Sequence, residues 1–334
     1  MPDIIVMGDV NVDVIFDISA YPIPGTEAIA TATQMHTGGS AVNTAIALAG
    51  MGMDVGFIGR VGQDSLAEQA LADLKAAGVD CSQVQIDHKV NTGVTFIAVT
   101  VDGERTMFAA RGANSFTQAR AIDHTYFDHC RWIHLSSYSF LAHHQYETIL
   151  TVLDLAENLP YTRISLDIGT EPAVRARSQI LRLLPRLDLI LPNEVEISLL
   201  GNGLPIEECL RELHHQHAAG AIVTKRGQKG CLFSVENRRV NIPAFDIEVK
   251  DTTGAGDSFN AGVVLGRLVG LSWDASSALG NAMGGLACGQ VGAGAFASNR
   301  NVVSKLIETH LFKENWAPAR SALEELMVWF EGVL

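Results

Sequence analysis

Short apolar runs, several of them solidly so, alternate with amphipathic stretches along most of this 334-residue chain. The apolar runs fall at 4–7, 55–58, 132–135, 164–167, 187–191, 221–224 and 231–235. Runs without polar alternation suit strands covered on both faces. Helical periodicity occupies 41–52, 64–77, 143–158, 174–184, 194–200 and 206–217 between them. This rhythm predicts an α/β fold: a mostly parallel central sheet with helices packed on it.

Two segments break the rhythm. Residues 91–111 hold a β-rich run, then Asp102-Gly103, then a second β-rich run beginning at Arg105. Asp-Gly between such runs is a strong hairpin signal. Residues 12–37 also read as extended, with Pro22 and Pro24 marking a turn. Together they predict a small sheet standing off the main body, as a lid over a site or as a dimer surface. Beyond residue 250 the pattern is helical, at 256–269, 274–289, 300–310 and 317–331. The spacing of Ala322, Leu323, Leu326, Met327 and Phe330 predicts a packing helix in a C-terminal extension, about 311–334. No low-complexity linker interrupts the sequence, so the expectation is one domain over 1–334.

Composition narrows the partners. The net charge is −13, which repels phosphate backbones and argues against nucleic-acid binding. Charged residues are 18%, too few for a disordered chain of low hydrophobicity. The best membrane-span candidate, 261–271, is interrupted by Arg267 and falls short of the roughly 18 residues a span needs. The start Met1-Pro2-Asp3 lacks a basic segment, and the five cysteines never form C-x-x-C. Both features point to a cytoplasmic protein with reduced thiols.

The strongest chemical signal is Asp251-Thr252-Thr253-Gly254-Ala255-Gly256-Asp257. A helical pattern starts within it, so the amides of Gly254, Ala255 and Gly256 should point outward from a helix N-terminus and form an anion hole. Asp257 at its mouth is either a helix-capping carboxylate or a base for a hydroxyl attacking a bound phosphate. Gly38-Gly39-Ser40-Ala41-Val42-Asn43 opens another helix, with Asn43 one turn in. Gly8-Asp9-Val10-Asn11-Val12-Asp13 follows the first strand. Ligands of open α/β sheets bind beyond strand carboxyl ends, and Asn11 and Asp13 share one side of an extended segment. Weaker signals are Pro192-Asn193-Glu194-Val195-Glu196 after a strand and Thr224-Lys225-Arg226-Gly227-Gln228-Lys229-Gly230 between two strands. Each of these also reads as a cap or a turn.

In this order and spacing the five stretches resemble the PfkB (ribokinase-like) carbohydrate kinases, over roughly residues 3–308. The resemblance implies a three-layer α/β/α ribokinase-like fold with a β lid. It also implies transfer of the ATP γ-phosphate to the hydroxymethyl group of a small carbohydrate. A nucleoside kinase, or a sugar-binding protein of this fold that has lost catalysis, are the alternatives. Asp257 matches the family's catalytic base, and Gly254, Ala255 and Gly256 its anion hole. Asn11, Asp13, Gly39 and Asn43 match sugar positions. Asn193 and Glu196 match the N-x-x-E motif linked to Mg²⁺ and phosphate, Glu196 acting through water. Thr224, Gly227 and Gly230 match nucleotide-side positions, with Asn281 near the adenine. Asp251 and Thr253, with the backbone of 292–298, match loops that bind a monovalent cation such as K⁺ in many members.

Some positions depart from the ribose-specific pattern. Ser40 stands where those members usually carry Lys, and 136–140 lacks a glutamate. Arg111, at the end of the predicted hairpin, is a candidate contact for an acidic or phosphorylated acceptor. Phe96 and Phe108 are candidate platforms for a purine nucleoside. No Walker A sequence is present. Gly50-Met-Gly52-Met-Asp-Val-Gly56 is too widely spaced, and on the wrong side of a strand, for a dinucleotide fingerprint. The cluster His214-His215-Gln216-His217 reads as a solvated helix face.

Overall fold

In the computed structural model, residues 1–235, 238–290 and 298–333 are described. The apolar runs become the centre of a nine-stranded sheet. Its strands are β1 (Ile4–Met7), β4 (Val55–Gly62), β5 (Val84–Asp87), β8 (Trp132–Ser136), β9 (Arg163–Asp167), β10 (Leu189–Leu191), β11 (Ala221–Lys225), β12 (Cys231–Val235) and β13 (Arg238–Ile242). Their order is β13-β12-β11-β10-β9-β8-β1-β4-β5. All neighbours pair in parallel except β11–β12 and β12–β13.

Strand periodicity sorts side chains between two cores. Ile4 and Val6 of β1 enter one, and Ile5 and Met7 enter the other. The first core lies under α1 (Ser40–Gly50), α2 (Ser65–Ala76), α8 (Ala255–Leu268), α9 (Trp273–Cys288), α10 (Arg300–His310) and α11 (Arg320–Val333). The second lies under α3 (His143–Ala156), α4 (Thr170–Arg175), α5 (Arg177–Leu183), α6 (Glu194–Leu200) and α7 (Ile206–His217). The result is the expected three-layer α/β/α arrangement. Trp316, Leu323, Leu326 and Phe330 of the C-terminal segment are buried in the first core.

A second sheet has four strands in the order β3-β2-β6-β7. They are β2 (Asn11–Ile18), β3 (Ala32–Gly38), β6 (Gly93–Thr100) and β7 (Arg105–Ala110). β6 and β7 form the hairpin around Asp102-Gly103, where Gly103 has a φ of 82°.

Three differences from the sequence reading have local causes. The stretch read as one helix over 174–184 is two, α4 and α5, separated at Ala176 with φ −121° and ψ 20°. The edge strands β5 and β13 were not expected. Each interleaves polar with apolar residues, as the central β9 also does, and neither holds two apolar residues in succession. His214 is buried rather than solvated: its ring bonds Ala219 O and Ser234 Oγ.

Candidate active site

Two helix N-termini converge beyond the carboxyl ends of the central strands. α1 begins after Gly39, whose φ of 114° and close approach to Asp9 O (a Cβ there would lie 2.4 Å from it) demand glycine. α8 begins after Gly254, in the left-handed region at φ 71°, and no side chain caps it. The Ala255 amide reaches back to Thr252 O at 3.3 Å. Asp257 sits in the first turn of α8 and faces α1. Its Oδ1 accepts from Ser40 Oγ at 2.7 Å and its Oδ2 from Asn43 Nδ2 at 2.8 Å. Thr44 Oγ1 donates to the Asp257 carbonyl at 3.3 Å. Burial first, and then the charge of Asp167, push the Asp257 carboxyl up to about 6.

Behind Asp257 lies a polar group with no counterpart in the sequence reading. Asp167 ends β9 and Lys225 ends β11. The Lys225 Nζ is 2.9 Å from Asp167 Oδ1 and 3.2 Å from Asn260 Oδ1. Asn260 Nδ2 also donates to Asp167 Oδ1 at 2.8 Å, and Ser40 Oγ lies 2.9 Å from Asp167 Oδ2. Burial alone would raise the Asp167 carboxyl; the Lys225 ammonium outweighs it and holds Asp167 below the ordinary range. No local motif announces this group, because its members come from separate strands and helices. Only the shared position of Asp167 and Lys225 at strand carboxyl ends could have pointed to it.

On the other side of the α8 N-terminus is a cavity of about 820 Å³. Lys225, Gly227, Gly230, Thr252, Ala255, Gly256 and Asn281 are among its lining residues. Four of the nucleotide-side and anion-hole expectations, Gly227, Gly230, Ala255 and Gly256, therefore meet on one surface. Asn281 also lines it, but its amide donates to Ile242 O and Pro243 O, which fixes the wall. Thr224 does not line it. Alternation along β11 turns Thr224 into the core, wholly buried, and Lys225 toward the cavity. Thr224, expected on the nucleotide side, therefore presents no surface to this cavity, and its neighbour Lys225 does.

Asn193 and Glu196 form a capping box on α6. Asn193 Oδ1 accepts from the Val195 and Glu196 amides, and Glu196 Oε2 accepts from the Asn193 amide at 2.7 Å. Glu196 Oε1 accepts from Thr170 Oγ1 at 3.2 Å. Burial pushes the Glu196 carboxyl up to about 7.

The opposite wall is built from β2. Asn11 Oδ1 accepts from Asn114 Nδ2 at 2.8 Å. Asp13 is paired across the sheet with His36 and Thr95, and its carboxyl faces the Cα of Gly38. Burial pushes Asp13 up to about 6, against the opposing effects of the Thr95 hydroxyl and His36.

Arg111, the candidate contact for an acidic acceptor, is held by Asp9. Its Nε and Nη2 each lie 2.8 Å from Asp9 oxygens, and Nη2 also bonds Gln145 Oε1. Nε and Nη2 of the guanidinium are thus held in a part-buried clamp with Asp9 and Gln145. Phe96 and Phe108 face each other across β6 and β7 and share their face with Val14 and Met35. That face is opposite to the one carrying Asp13, so the two rings are no platform for an acceptor held by Asp13. Asp251 and Thr253 are both bonded by Arg105 of β7: the guanidinium pairs with Asp251 Oδ1 and donates to Thr253 Oγ1. Of the expected cation loop 292–298, residues 292–297 lie outside the described residues.

A pfkB family carbohydrate kinase profile matches residues 1–300. This chain belongs to that family. It is accordingly a phosphotransferase with an alcohol group as acceptor. An ATP-dependent ribose-1-phosphate kinase of Halopiger xanaduensis is 29% identical over 286 residues, 86% of this chain and 92% of that protein. A ribokinase of Staphylococcus aureus is 28% identical over 79% of this chain and 86% of its own. Among solved structures, an E. coli kinase in complex with ATP and Mg²⁺ superposes with a TM-score of 0.82 at 21% identity, over 93% of this chain and all of that one. That likeness establishes the ribokinase fold for this PfkB kinase. No described helix is long and apolar enough to cross a membrane.

Proposed function

We propose that this PfkB kinase transfers the terminal phosphate of ATP to a hydroxymethyl group of a small, uncharged sugar, with Asp257 as general base. One observation carries the reading. A partly accessible carboxylate, fixed by Ser40 and Asn43, occupies the first turn of an uncapped helix whose other side opens on a nucleotide-sized cavity. The acceptor hydroxyl donates to Asp257, which takes its proton as the oxygen attacks phosphorus. The amides of Gly254 and Gly256 face the oxygens on which negative charge builds, while that of Ala255 closes the turn onto Thr252 O. Gly39, Asn43, Asn11 and Asp13 hold the remaining hydroxyls. The ribose-type relatives support a furanose or similar polyol, phosphorylated in the one case and neutral in the other, and the pairing of Arg111 with Asp9 favours the neutral one.

Glu196 fits the task of an outer carboxylate for Mg²⁺. It is buried, each oxygen accepts one hydrogen bond from the described residues, and its raised proton affinity is what a nearby dication would reverse. Mg²⁺, when bound, offsets charge on the phosphate oxygens. The five cysteines are free thiols, which supports a reducing, cytoplasmic setting. The exposed stripe of Met35, Phe96 and Phe108 on the lid supports a homodimer through that sheet.

ATP consumption across a panel of sugars and nucleosides, with Mg²⁺, tests the reading. Turnover is expected on a neutral sugar. Turnover on nucleosides alone, or tight sugar binding without turnover on any acceptor, would overturn it.

A further inference from the structure

We propose that Lys225 belongs to the transfer site of this kinase and holds oxygens of the terminal phosphate of the donor nucleotide. The inference rests on the kinase reading above and adds to it the residue that supplies a fixed positive charge.

The geometry has three parts. First, Lys225 lines the cavity together with Thr252, Ala255 and Gly256. A Cβ built on Gly256 would lie 3.8 Å from Lys225 Nζ, so the ammonium and the anion-hole backbone surround one point. Second, an ammonium carries three donors. Two are used, by Asp167 Oδ1 and Asn260 Oδ1, and no third acceptor appears among the described residues. Tetrahedral geometry leaves the third proton on the side of the cavity. Third, the neighbouring cations are otherwise engaged. Arg226 bonds Glu194 and Asn241 at 2.8 and 2.7 Å, and Lys229 pairs with Glu194 at 3.6 Å.

Asp167 is a positioning residue in this arrangement. Its buried carboxylate holds the ammonium at 2.9 Å and helps to keep it charged, since Asp167, Glu196 and Asp257 together outweigh the cost of burial to the ammonium. A chain of net charge −13 thus presents positive potential where helix dipole and lysine coincide.

The experiment is calorimetric titration of the full-length protein, in Mg²⁺, with the β,γ-imido analogue of ATP and with ADP. Lys225→Met is expected to weaken the ATP analogue at least about tenfold, the scale of one charge-assisted hydrogen bond. ADP binding should change by less than about twofold on the same reasoning, because ADP lacks the terminal phosphate. Lys225→Arg should recover part of the loss. Lys225→Met leaves Asp167 buried and unpaired, so the double variant Lys225→Met/Asp167→Asn is measured beside it and should show the same selective loss. Equal weakening of both nucleotides, or none, overturns the proposal while the kinase reading stands. A wild-type protein that binds neither nucleotide overturns the kinase reading, and this proposal with it.

Discussion

Ser40 Oγ lies 2.7 Å from Asp257 Oδ1. The same oxygen lies 2.9 Å from Asp167 Oδ2, and one hydroxyl proton cannot serve both carboxylates at once. The carboxylate that is further from Lys225 is left the poorer in donors, in keeping with the direction of its shift: Asp257 up to about 6, Asp167 down. A general base works only when ionised. The rate should therefore be constant above pH about 6 and fall roughly tenfold per pH unit below it. Ser40→Ala removes a donor to the ionised form and should move this acid limb upward by about one unit. A pH profile of kcat/KM for both proteins reads the shift directly.

Asp257→Asn keeps the shape of the site and removes the base. We expect kcat to fall on the order of 10²-fold or more, with the KM of the sugar little changed, because Asn can still bond a hydroxyl. The pH profile separates this from a folding defect: a misfolded fraction would leave the acid limb of the remaining molecules in place near pH 6, whereas a site without its base loses that limb.

The layers of the fold and the anion-hole segment were legible in the sequence because both are local. Short, mostly apolar runs give the central strands, and Gly254-Ala255-Gly256-Asp257 is contiguous. What escaped depended on which side of an element a residue faces. Thr224 and Lys225 differ by one position along β11, yet one is in the core and the other at the cavity. Phe96 and Asp13 sit in adjoining strands but on opposite faces. The Asp167–Lys225–Asn260 group joins β9, β11 and α8, and no spacing rule within one segment connects those three.

The clamp between Arg111 and Asp9 predicts a stability effect rather than an affinity effect. The two side chains are 17% and 9% exposed, so Arg111→Met leaves a buried carboxylate without its partner. Loss of about 3–5 kcal/mol is expected, read as a lower denaturant midpoint. Asp9→Asn added to it should recover part of the loss. A rise in acceptor KM at unchanged stability would instead return Arg111 to the substrate.

Arg105 reaches from the lid hairpin to Asp251 and Thr253, the side chains that the resemblance assigned to a monovalent cation. A guanidinium there supplies a positive charge beside the anion-hole loop. Turnover should then be insensitive to K⁺, measured in tetramethylammonium buffer with and without it. Arg105→Ala should lose turnover in the K⁺-free buffer and regain it with K⁺. Strict K⁺ dependence of the wild type would contradict the substitution of one cation by the other.

The lid carries the last prediction. Val14 pairs with both Met35 and Phe96, and Phe96 pairs with Phe108, so one apolar row crosses all four strands. Met35, Phe96 and Phe108 are 47%, 46% and 60% exposed. Contiguous exposed apolar surface of this kind marks an association site, and a two-fold dimer would bury each residue of the row twice. Burying one aromatic side chain contributes about 2 kcal/mol. Phe108→Ser, acting in both protomers, should therefore weaken dimerisation by about 4 kcal/mol, roughly a thousandfold in Kd. Sedimentation at micromolar concentration should find a dimer for the wild type and a monomer for Phe108→Ser. A wild-type protein that sediments as a monomer at that concentration would leave the row facing solvent, and the lid would then be a cover for the site alone.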